Sequence, residues 1–425
     1  MPKIIKTLQE AISYSTEDIS IEEYWNVGNE AESTIHSIHA YPAKFPAFIA
    51  NKAINLAMNN GISVNMVSDI FCGCGTVALE CKKNNVNFWG CDINPVATLI
   101  TKAKTYSYDI KKLRLIFERI KNDFLLSKFT ADYSTANDRI RYWFYEEQYN
   151  KLFSLKKAIE YNAKGKYKTA FLCLFSSILK PTSKWLTKAI KPQIDPNKKP
   201  AEVWSSFEKQ FNKFLKGLQE FPDSLSKINI DTCSVLTRRT FPNVDLIITS
   251  PPYVTSYEYA DLHQLSSLWL GYAEDYTCLR KGTMGSTYNC ETFSYNIKDL
   301  NTTARRIITN LQNNDEIAQS KIKPIARYYI DMQKATMQCY RMLNNTGLAL
   351  FIIGDTEYKG TKIHNSQQLV ESLIQSGFSE VMISKRKISN KILTPYRDVN
   401  GKFTSDKTKR EIYHEEFVII GRKSK

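Results

Sequence analysis

The sequence predicts an α/β fold in which a parallel sheet is flanked by helices and interrupted by a large, mostly helical insertion. Three observations support this prediction. Residues 1–104 comprise an N-terminal segment followed, from residue 46, by alternating helical and strand-like segments. Helical spacing alone continues over residues 105–226, and the strand–helix alternation returns over residues 227–425. Because parallel strands are joined by crossovers, the two outer portions are expected to complete one sheet around the insertion.

The first portion contains a leading helix and two strand–helix units. A helix is predicted over residues 46–60, since Pro46 suits a first helical turn and Gly61 suits a stop. The run VNMVSDIF is typical of a buried strand, and CGCGT separates it from the helical run VALECKKN. NFWGCDI is the second strand, and NPVATLITKAK is the second helix.

The insertion carries apolar residues at helical spacing in IKKLRLIFERIKNDFLL, RYWFYEEQYNKLFSLKKAIEY and YKTAFLCLFSSILK. Its tail, KPTSKWLTKAIKPQIDPNKKP, is basic and punctuated by proline, which predicts a surface loop. Basic residues are interleaved with aromatic residues near 142–145 and 181–199, a pattern that favours contact with nucleic acid.

The last portion resumes the strand–helix pattern. KINIDTCSVL, NVDLIITSPPY, GLALFIIGD and HEEFVIIGRK are predicted strands, whereas PIARYYIDMQKATMQCYRML and NSQQLVESLIQSGF are predicted helices. Residues 384–410 contain nine lysines and arginines against two aspartates, which indicates either a phosphate-contacting loop or a solvated charge run.

Composition and charge indicate which cell compartment and which kind of partner to expect. The net charge of +15 indicates a polyanionic partner such as nucleic acid, although surface lysines alone would give a similar value. No apolar run approaches the length of a membrane span and the start of the chain lacks a secretion signal, so we expect a cytoplasmic protein without a membrane partner. The spacing of Cys72, Cys74, Cys81 and Cys91 matches no common zinc pattern, and no metal is expected.

The loop DIFCGCGT follows a strand and opens a helix, so Gly73 and Gly75 allow the backbone to turn tightly beside a ligand. It is neither G-x-G-x-x-G nor a phosphate-binding loop, and a nucleotide phosphate is therefore not the expected ligand. Asp92 ends the next strand, 23 residues after Asp69, where an acid can accept the hydroxyls of a ribose. The alternative is a tight strand–helix turn with a capping aspartate.

The segment DLIITSPPYVTSYEYADL ends a buried strand in a Ser-Pro-Pro-Tyr corner. Pro251 and Pro252 offer no N–H donor and stiffen the turn, so Ser250 and the neighbouring carbonyls point in fixed directions. Beside the flat ring of Tyr253, these acceptors could hold an exocyclic amino group of a base. A base in a duplex reaches such a slot only when it is flipped out. The alternative is a corner that merely terminates the strand.

Together, DIFCGCGT and TSPPY resemble the S-adenosylmethionine-dependent DNA amino-methyltransferases of bacterial restriction–modification systems. In that family a D-x-F-x-G-x-G-T loop binds the methionine part of the cofactor, and an (S/N/D)-P-P-(Y/F/W) corner holds the target base. Serine in the first corner position is similar to the cytosine-N4 branch, whereas Asp or Asn is commoner in adenine-N6 enzymes. IHAYPAKFP resembles the segment that lies against the methionine end of the cofactor.

The resemblance implies a Rossmann-like class I methyltransferase sheet and assigns roles to particular residues. The catalytic residues it implies are Ser250, Pro251, Pro252 and Tyr253. The implied cofactor-binding residues are Lys44, Asp69, Phe71, Gly73, Gly75, Thr76, Asp92, Ile93 and Asp231. The candidate substrate-binding residues are Tyr257 and Tyr259. The insertion precedes the strand of Asp231, earlier than the usual target-recognition domain, which leaves the location of sequence recognition open.

The function expected from this resemblance is methyl transfer from S-adenosyl-L-methionine to the N4 atom of a flipped cytosine in double-stranded DNA. A cognate restriction endonuclease on a separate chain is the second expected partner. Three alternatives stay open: an adenine-N6 DNA methyltransferase, a transfer-RNA guanine-N2 methyltransferase, and a non-catalytic nucleic-acid-binding protein. Ser250 argues against the RNA enzymes, which carry a D-P-P-Y corner.

Overall fold

The computed structural model describes the chain except for residues 29–30, 222–223, 255–257, 287, 289–292, 389–395, 398–402, 412–413 and 425. The strands are β1 (Lys3–Ile5), β2 (Met66–Asp69), β3 (Asn87–Asp92), β4 (Ile228–Thr232), β5 (Val244–Thr249), β6 (Leu343–Ile353), β7 (Thr356–Tyr358), β8 (Thr361–Ile363), β9 (Glu380–Lys387), β10 (Tyr396–Arg397), β11 (Phe403–Thr404), β12 (Arg410–Glu411) and β13 (Glu415–Arg422).

The helices lie between these strands along the chain, singly or in consecutive groups. They are α1 (Leu8–Ser13), α2 (Ala47–Asn59), α3 (Thr76–Lys83), α4 (Pro95–Thr105), α5 (Ile110–Leu125), α6 (Asp138–Trp143), α7 (Glu146–Asn162), α8 (Gly165–Ile178), α9 (Val203–Gln219), α10 (Tyr259–Leu262), α11 (Gln264–Trp269), α12 (Thr302–Gln312), α13 (Gln319–Met342) and α14 (Asn365–Gln375). Short 3-10 turns cover Glu23–Trp25, Thr34–Ser37, Tyr133–Thr135, Tyr276–Arg280 and Ile297–Asp299.

The main sheet has eight strands in the order β1-β9-β13-β6-β5-β2-β3-β4. The run from β6 to β4 is parallel, whereas β13 is antiparallel to both of its neighbours and β1 is antiparallel to β9. The chain winds outward from β2 in one direction through β3 and β4, and in the other through β5 and β6. The carboxyl ends of β2 and β5 therefore form the topological switch point, where ligands bind in open α/β sheets.

Helices cover both faces of this sheet, which confirms the predicted α/β fold. Alternate residues of β5 point to opposite faces: Leu246 and Ile248 pack with α2 and α3, whereas Ile247 packs with α12, α13 and α14. Strand β6 follows the same alternation, so both of its faces are apolar and buried. This double burial explains why the sequence of the central strands reads as continuous apolar runs.

The insertion contains helices α5 to α9, and its core is shared with the outer side of α4 and with α11. Aromatic stacking dominates this core, and the rings of Phe117 and Phe211 lie 4.0 Å apart at 2°. Trp269 of α11 contacts Phe144, Tyr149 and Phe175. Helix α11 follows the Ser-Pro-Pro-Tyr corner and α10 in the chain. The insertion therefore packs against a helix that is close in sequence to this corner.

The basic segment 384–410 begins differently from the expected loop. Its first four residues belong to β9, where Lys385 and Arg386 are buried and form ion pairs with Glu415 and Glu416 of β13. These pairs form because oppositely charged side chains meet across adjacent antiparallel strands. The two cations are therefore unavailable for phosphate contact, and most of the remaining segment lies outside the described residues.

Within the described residues, no helix is both long enough and apolar enough to cross a bilayer. In the same part of the chain, His, Cys, Asp and Glu side chains form no group of three or more that could hold a metal ion. Cys72, Cys74, Cys81 and Cys91 are free and buried.

Candidate active site

A buried carboxyl group ties the glycine loop to the strand that leads into the corner. Asp69 ends β2 and is 3% exposed. Its Oδ1 accepts a hydrogen bond from Thr249 Oγ1 at 2.6 Å and another from the backbone N–H of Phe71 at 3.0 Å. Burial raises the pKa of Asp69 to about 7, and these two hydrogen bonds oppose the rise. The ends of β2 and β5 are thus joined at the switch point.

The glycine loop adopts left-handed conformations at Gly73 and Gly75, with φ of +47° and +74°. A Cβ at Gly75 would lie 2.4 Å from Cγ2 of Thr101, so no larger residue fits there. Helix α4 also holds the loop by hydrogen bonds: Thr101 Oγ1 donates to the Gly73 carbonyl, and Lys104 Nζ donates to the Cys74 carbonyl, both at 3.0 Å. These contacts with α4 therefore fix the conformation of the glycine loop.

Asp92 lies at the end of β3, beside this loop. Its Oδ2 accepts from the Gly73 N–H and its Oδ1 from the Asn94 N–H, each at 2.8 Å. Burial raises the pKa of Asp92 to about 6, and the two backbone hydrogen bonds oppose the rise. Each carboxylate oxygen keeps a further lone pair, so Asp92 can accept the two hydroxyls of a ribose. This donor–acceptor arrangement fits the nucleoside part of S-adenosylmethionine.

An aromatic wall joins the N-terminal segment to the helix that follows the corner. The ring of Tyr41 stacks on His263 with centroids 5.1 Å apart and on Tyr259 at 6.3 Å. A Cβ at Gly73 would lie 3.3 Å from the Tyr41 ring, so the wall also abuts the glycine loop. Tyr259 therefore lies beside the predicted cofactor site, whereas Tyr257 is outside the described residues.

The orientation of Asn94 fixes the tautomer of His263. Asn94 Oδ1 accepts the Val96 N–H at 3.0 Å, which leaves its Nδ2 to donate to His263 Nδ1 at 2.8 Å. The ring proton of His263 is therefore on Nε2. Burial lowers the pKa of His263 to about 3, so the ring is neutral. His263 Nε2 is buried and has no hydrogen-bond partner among the described residues.

The Ser-Pro-Pro-Tyr corner is held by the neighbouring strands β6 and β13. Ser250 Oγ donates to the Ile352 carbonyl at 3.0 Å. Tyr253 OH donates to Glu416 Oε1 at 3.0 Å, and a Cβ at Gly354 would lie 3.4 Å from the Tyr253 ring. Burial and the nearby Glu416 carboxylate raise the pKa of Tyr253 well above its usual range. Because its one proton is committed to Ile352, the Ser250 hydroxyl can only accept from a ligand.

Two of the predicted cofactor-binding residues, Lys44 and Asp231, form contacts with other side chains of the protein. Lys44 forms an ion pair with Glu32. Asp231 Oδ2 accepts from Trp89 Nε1 at 2.9 Å and from Arg238 at 2.6 Å, at the end of β4. The cofactor contacts assigned to Lys44 and Asp231 stay predictions.

Two other predicted residues lie next to the elements already described. Thr76 is the first residue of α3 and is buried. Ile93 directly follows Asp92, and its Cδ1 is 3.0 Å from the position of a Cβ at Gly282. The loop carrying Gly282 therefore approaches the residue beside Asp92.

Sequence reasoning did not single out Tyr41, Thr249, Asn94 or Thr101 as site residues. Tyr41 lies within IHAYPAKFP, and Thr249 directly precedes Ser250, so both stood inside motifs that had been recognised. Asn94 precedes Pro95 at a predicted helix start, a position typical of a capping residue. Thr101 carries no such signal, because its contact with the glycine loop depends on how α4 packs.

Comparisons with known proteins find similarity to methyltransferases that act on DNA. The sequence pattern of a family described as DNA methylase matches residues 4–103. The chain is 23% identical over 389 residues to type II methyltransferase M.MvaI of Kocuria varians, covering 84% of each chain. It is 34% identical over 90 residues to type II methyltransferase M.MjaII of Methanocaldococcus jannaschii, covering 21% of this chain and 16% of that protein.

Solved structures add little to the sheet order described above. The rRNA methyltransferase aviRa from Streptomyces viridochromogenes aligns over 84% of this chain and 99% of its own length, with 9% identity and a TM-score of 0.29. The family and the curated relatives confirm the resemblance drawn from DIFCGCGT and TSPPY. They do not distinguish the cytosine-N4 branch from the adenine-N6 branch.

Proposed function

We propose that this chain, a DNA amino-methyltransferase of the type found in restriction–modification systems, methylates the N4 atom of a cytosine flipped out of duplex DNA. The observation that carries the proposal is the hydrogen bond from Ser250 Oγ to the Ile352 carbonyl at 3.0 Å. It leaves Ser250 as a pure acceptor at the corner, and an amino group brings hydrogens that need acceptors.

The residues around the glycine loop would hold S-adenosyl-L-methionine, the cofactor of this enzyme. Asp92 would accept the ribose hydroxyls, since within the described part of the chain each of its oxygens takes only one backbone N–H. The left-handed Gly73 and Gly75 bring backbone close to the methionine part of the cofactor. Asp69 contributes by position, because its bond to Thr249 sets the loop relative to the corner.

The corner would activate the target nitrogen mainly by positioning. Ser250 Oγ and the Pro251 carbonyl accept the two amino hydrogens, while the fixed Tyr253 ring supports the base. Drawing the amino hydrogens toward these acceptors moves the nitrogen toward tetrahedral geometry and frees its lone pair. When bound, the cofactor would supply an electrophilic methyl group and leave as the neutral thioether, and the methylated nitrogen would release one of its two hydrogens as a proton to solvent. No covalent protein nucleophile takes part.

Nucleoside analysis tests this proposal. Duplex DNA is incubated with the protein and S-adenosylmethionine, digested to nucleosides and weighed by mass spectrometry. The expected product is N4-methylcytidine in its deoxy form. Methyl on adenine alone would replace the cytosine assignment by the adenine-N6 alternative, and methyl on transfer RNA but not on duplex DNA would favour the RNA alternative.

The same proposal includes a separate restriction endonuclease that cuts the sequence this protein modifies. The test compares nuclease cleavage of one plasmid before and after its methylation by this protein. Modified plasmid is expected to resist a nuclease from the source cells that cleaves the unmodified plasmid. Equal cleavage of both plasmids would remove the endonuclease from the proposal.

A further inference from the structure

The tail of the insertion forms an anchored hairpin, which we call the Trp185 hairpin and define as residues 184–195. Trp185 bridges Ile194 in antiparallel register, and the Leu186 N–H donates to the Gln193 carbonyl at 2.8 Å. The backbone of Lys184 donates to the Trp143 carbonyl at 2.8 Å, which joins the base of the hairpin to α6. The sequence predicted a surface loop here and favoured contact with nucleic acid, but it did not predict a hairpin.

Buried contacts anchor the base of this hairpin. Trp185 is 2% exposed, and its ring stacks on Trp143 with centroids 5.0 Å apart. Lys180 Nζ donates to the Ala189 carbonyl at 2.7 Å, and Lys198 Nζ donates to the Trp185 carbonyl at 2.6 Å. Lys180 and Lys198, which flank the hairpin, thus donate hydrogen bonds to carbonyl oxygens within it. These bonds hold the turn although its two strands are short.

The remaining charge is concentrated at the tip. Residues 180–200 contain six lysines and one aspartate. Lys188 and Lys191 are exposed at the tip, and neither forms an ion pair with any described residue. A turn whose backbone is already held by hydrogen bonds loses little backbone freedom on meeting a polyanion, and its two unneutralised cations can attract one.

Exposed aromatic rings continue this surface at the hairpin base. Tyr142 and Tyr145 are 47% and 45% exposed. Lys184 Nζ lies 5.1 Å from the Tyr145 ring and 6.0 Å from the Tyr142 ring, and the Arg139 guanidinium lies 4.7 Å from the Tyr142 ring. Aromatic faces interleaved with cations are typical of surfaces that bind nucleic acid.

A single glutamine connects this surface to the active site. Gln264 Oε1 accepts from Arg139 Nε and from Trp143 Nε1, both at 2.8 Å. Gln264 begins α11 and directly follows His263, whose ring stacks on Tyr41 beside the glycine loop. A chain of contacts through Trp143 and Gln264 therefore connects the base of the hairpin to His263, beside the glycine loop.

We propose that the Trp185 hairpin, with Tyr142 and Tyr145 at its base, is the surface that grips duplex DNA beside the catalytic corner. Lys188 and Lys191 contact phosphates, and the aromatic base packs against the DNA strand beside them. This inference rests on the proposed function for the choice of duplex DNA as the polymer. It assigns DNA contact to the insertion rather than to the segment that begins in β9.

The test is the salt dependence of DNA binding. Fluorescence anisotropy measures the affinity of the full chain for a pool of 30-base-pair duplexes of random sequence at several salt concentrations. Each phosphate contact adds about 0.9 to the slope of log affinity against log salt, so Lys188→Ala with Lys191→Ala should reduce the slope by about 2. The matched control is Lys111→Ala with Arg114→Ala, which removes the same charge from an exposed surface beyond the far end of α4.

The control variant is expected to keep the wild-type slope, and both variants should keep the wild-type thermal midpoint. A second tip variant, Lys188→Gln with Lys191→Gln, should reproduce the reduced slope with side chains of similar length. An unchanged slope in the tip variants, or a slope reduced for transfer RNA but not for duplex DNA, would overturn the inference. Methyl transfer is measured separately, so a reduced slope without any methylated nucleoside would reject the proposed reaction and keep the DNA-gripping surface.

Discussion

Substituting Asp69 by asparagine should flatten the pH dependence of folding stability. Both hydrogen bonds to this carboxyl, from Thr249 and from the Phe71 N–H, are accepted by Oδ1, and none of the described residues bonds to Oδ2. An asparagine can keep its own Oδ1 in the same position, so Asp69→Asn removes the ionisation and retains the link between β2 and β5. The variant should therefore fold.

The size of the effect follows from the pKa of Asp69. Burial raises it from 3.8 to about 7. Between those two pH values the folded chain binds more protons than the unfolded chain, so the free energy of unfolding falls as pH rises. A single group contributes up to about 1.4 kcal/mol for each pH unit, or up to about 4 kcal/mol between pH 4 and pH 7. The advantage of Asp69→Asn over the wild type should grow by that amount.

Urea denaturation of both proteins at half-unit intervals from pH 4 to pH 8 measures this difference. A second variant, Thr249→Val, removes a hydrogen bond that lowers the pKa of Asp69, so its loss of stability should extend above pH 7. Parallel stability curves for the wild type and Asp69→Asn would refute the buried, ionisable link between the two loops.

Three further predictions concern the glycine loop, the cofactor and the corner. Gly75→Ala should lower the free energy of unfolding by about 2 kcal/mol or more, measured by urea denaturation, because its Cβ would lie 2.4 Å from Thr101 in a left-handed backbone. Asp92→Ala should weaken S-adenosylmethionine binding at least about tenfold by calorimetry, the cost of about 1.4 kcal/mol of lost hydrogen bonding. Tyr253→Phe should lose about 1 kcal/mol of stability in thermal or urea unfolding while methyl transfer persists, since only its bond to Glu416 is removed. Each assignment would be contradicted by the opposite result. These results are wild-type stability for Gly75→Ala, wild-type cofactor affinity for Asp92→Ala, and loss of turnover for Tyr253→Phe.

The elements that local chemistry determines were predictable from the sequence. Gly73 and Gly75 between a buried strand and a helix predicted the turn, and both residues have positive φ. Asp69 and Asp92 were expected at strand ends on one edge of a parallel sheet, and both lie there. In each case the signal is a residue type with a specific backbone or hydrogen-bonding property at an element boundary.

Contacts between distant segments were not predictable in this way. Lys44 pairs with Glu32, and the buried Lys385 pairs with Glu415, although the sequence offered both lysines many possible partners. The Trp185 hairpin depends on a ring stack with Trp143, which only the packing of the insertion creates. Such contacts arise from tertiary structure, and no local period or motif encodes them.

The central claim is that Ser250 accepts an amino hydrogen of the target base during methyl transfer. Its most direct test is the single-turnover rate of Ser250→Ala, measured with saturating cofactor and DNA. The claim predicts unchanged cofactor binding and a rate lower by about 100-fold or more, the usual cost of removing one oriented hydrogen bond at a transition state. A wild-type rate would contradict it and would return the corner to the role of a strand terminator.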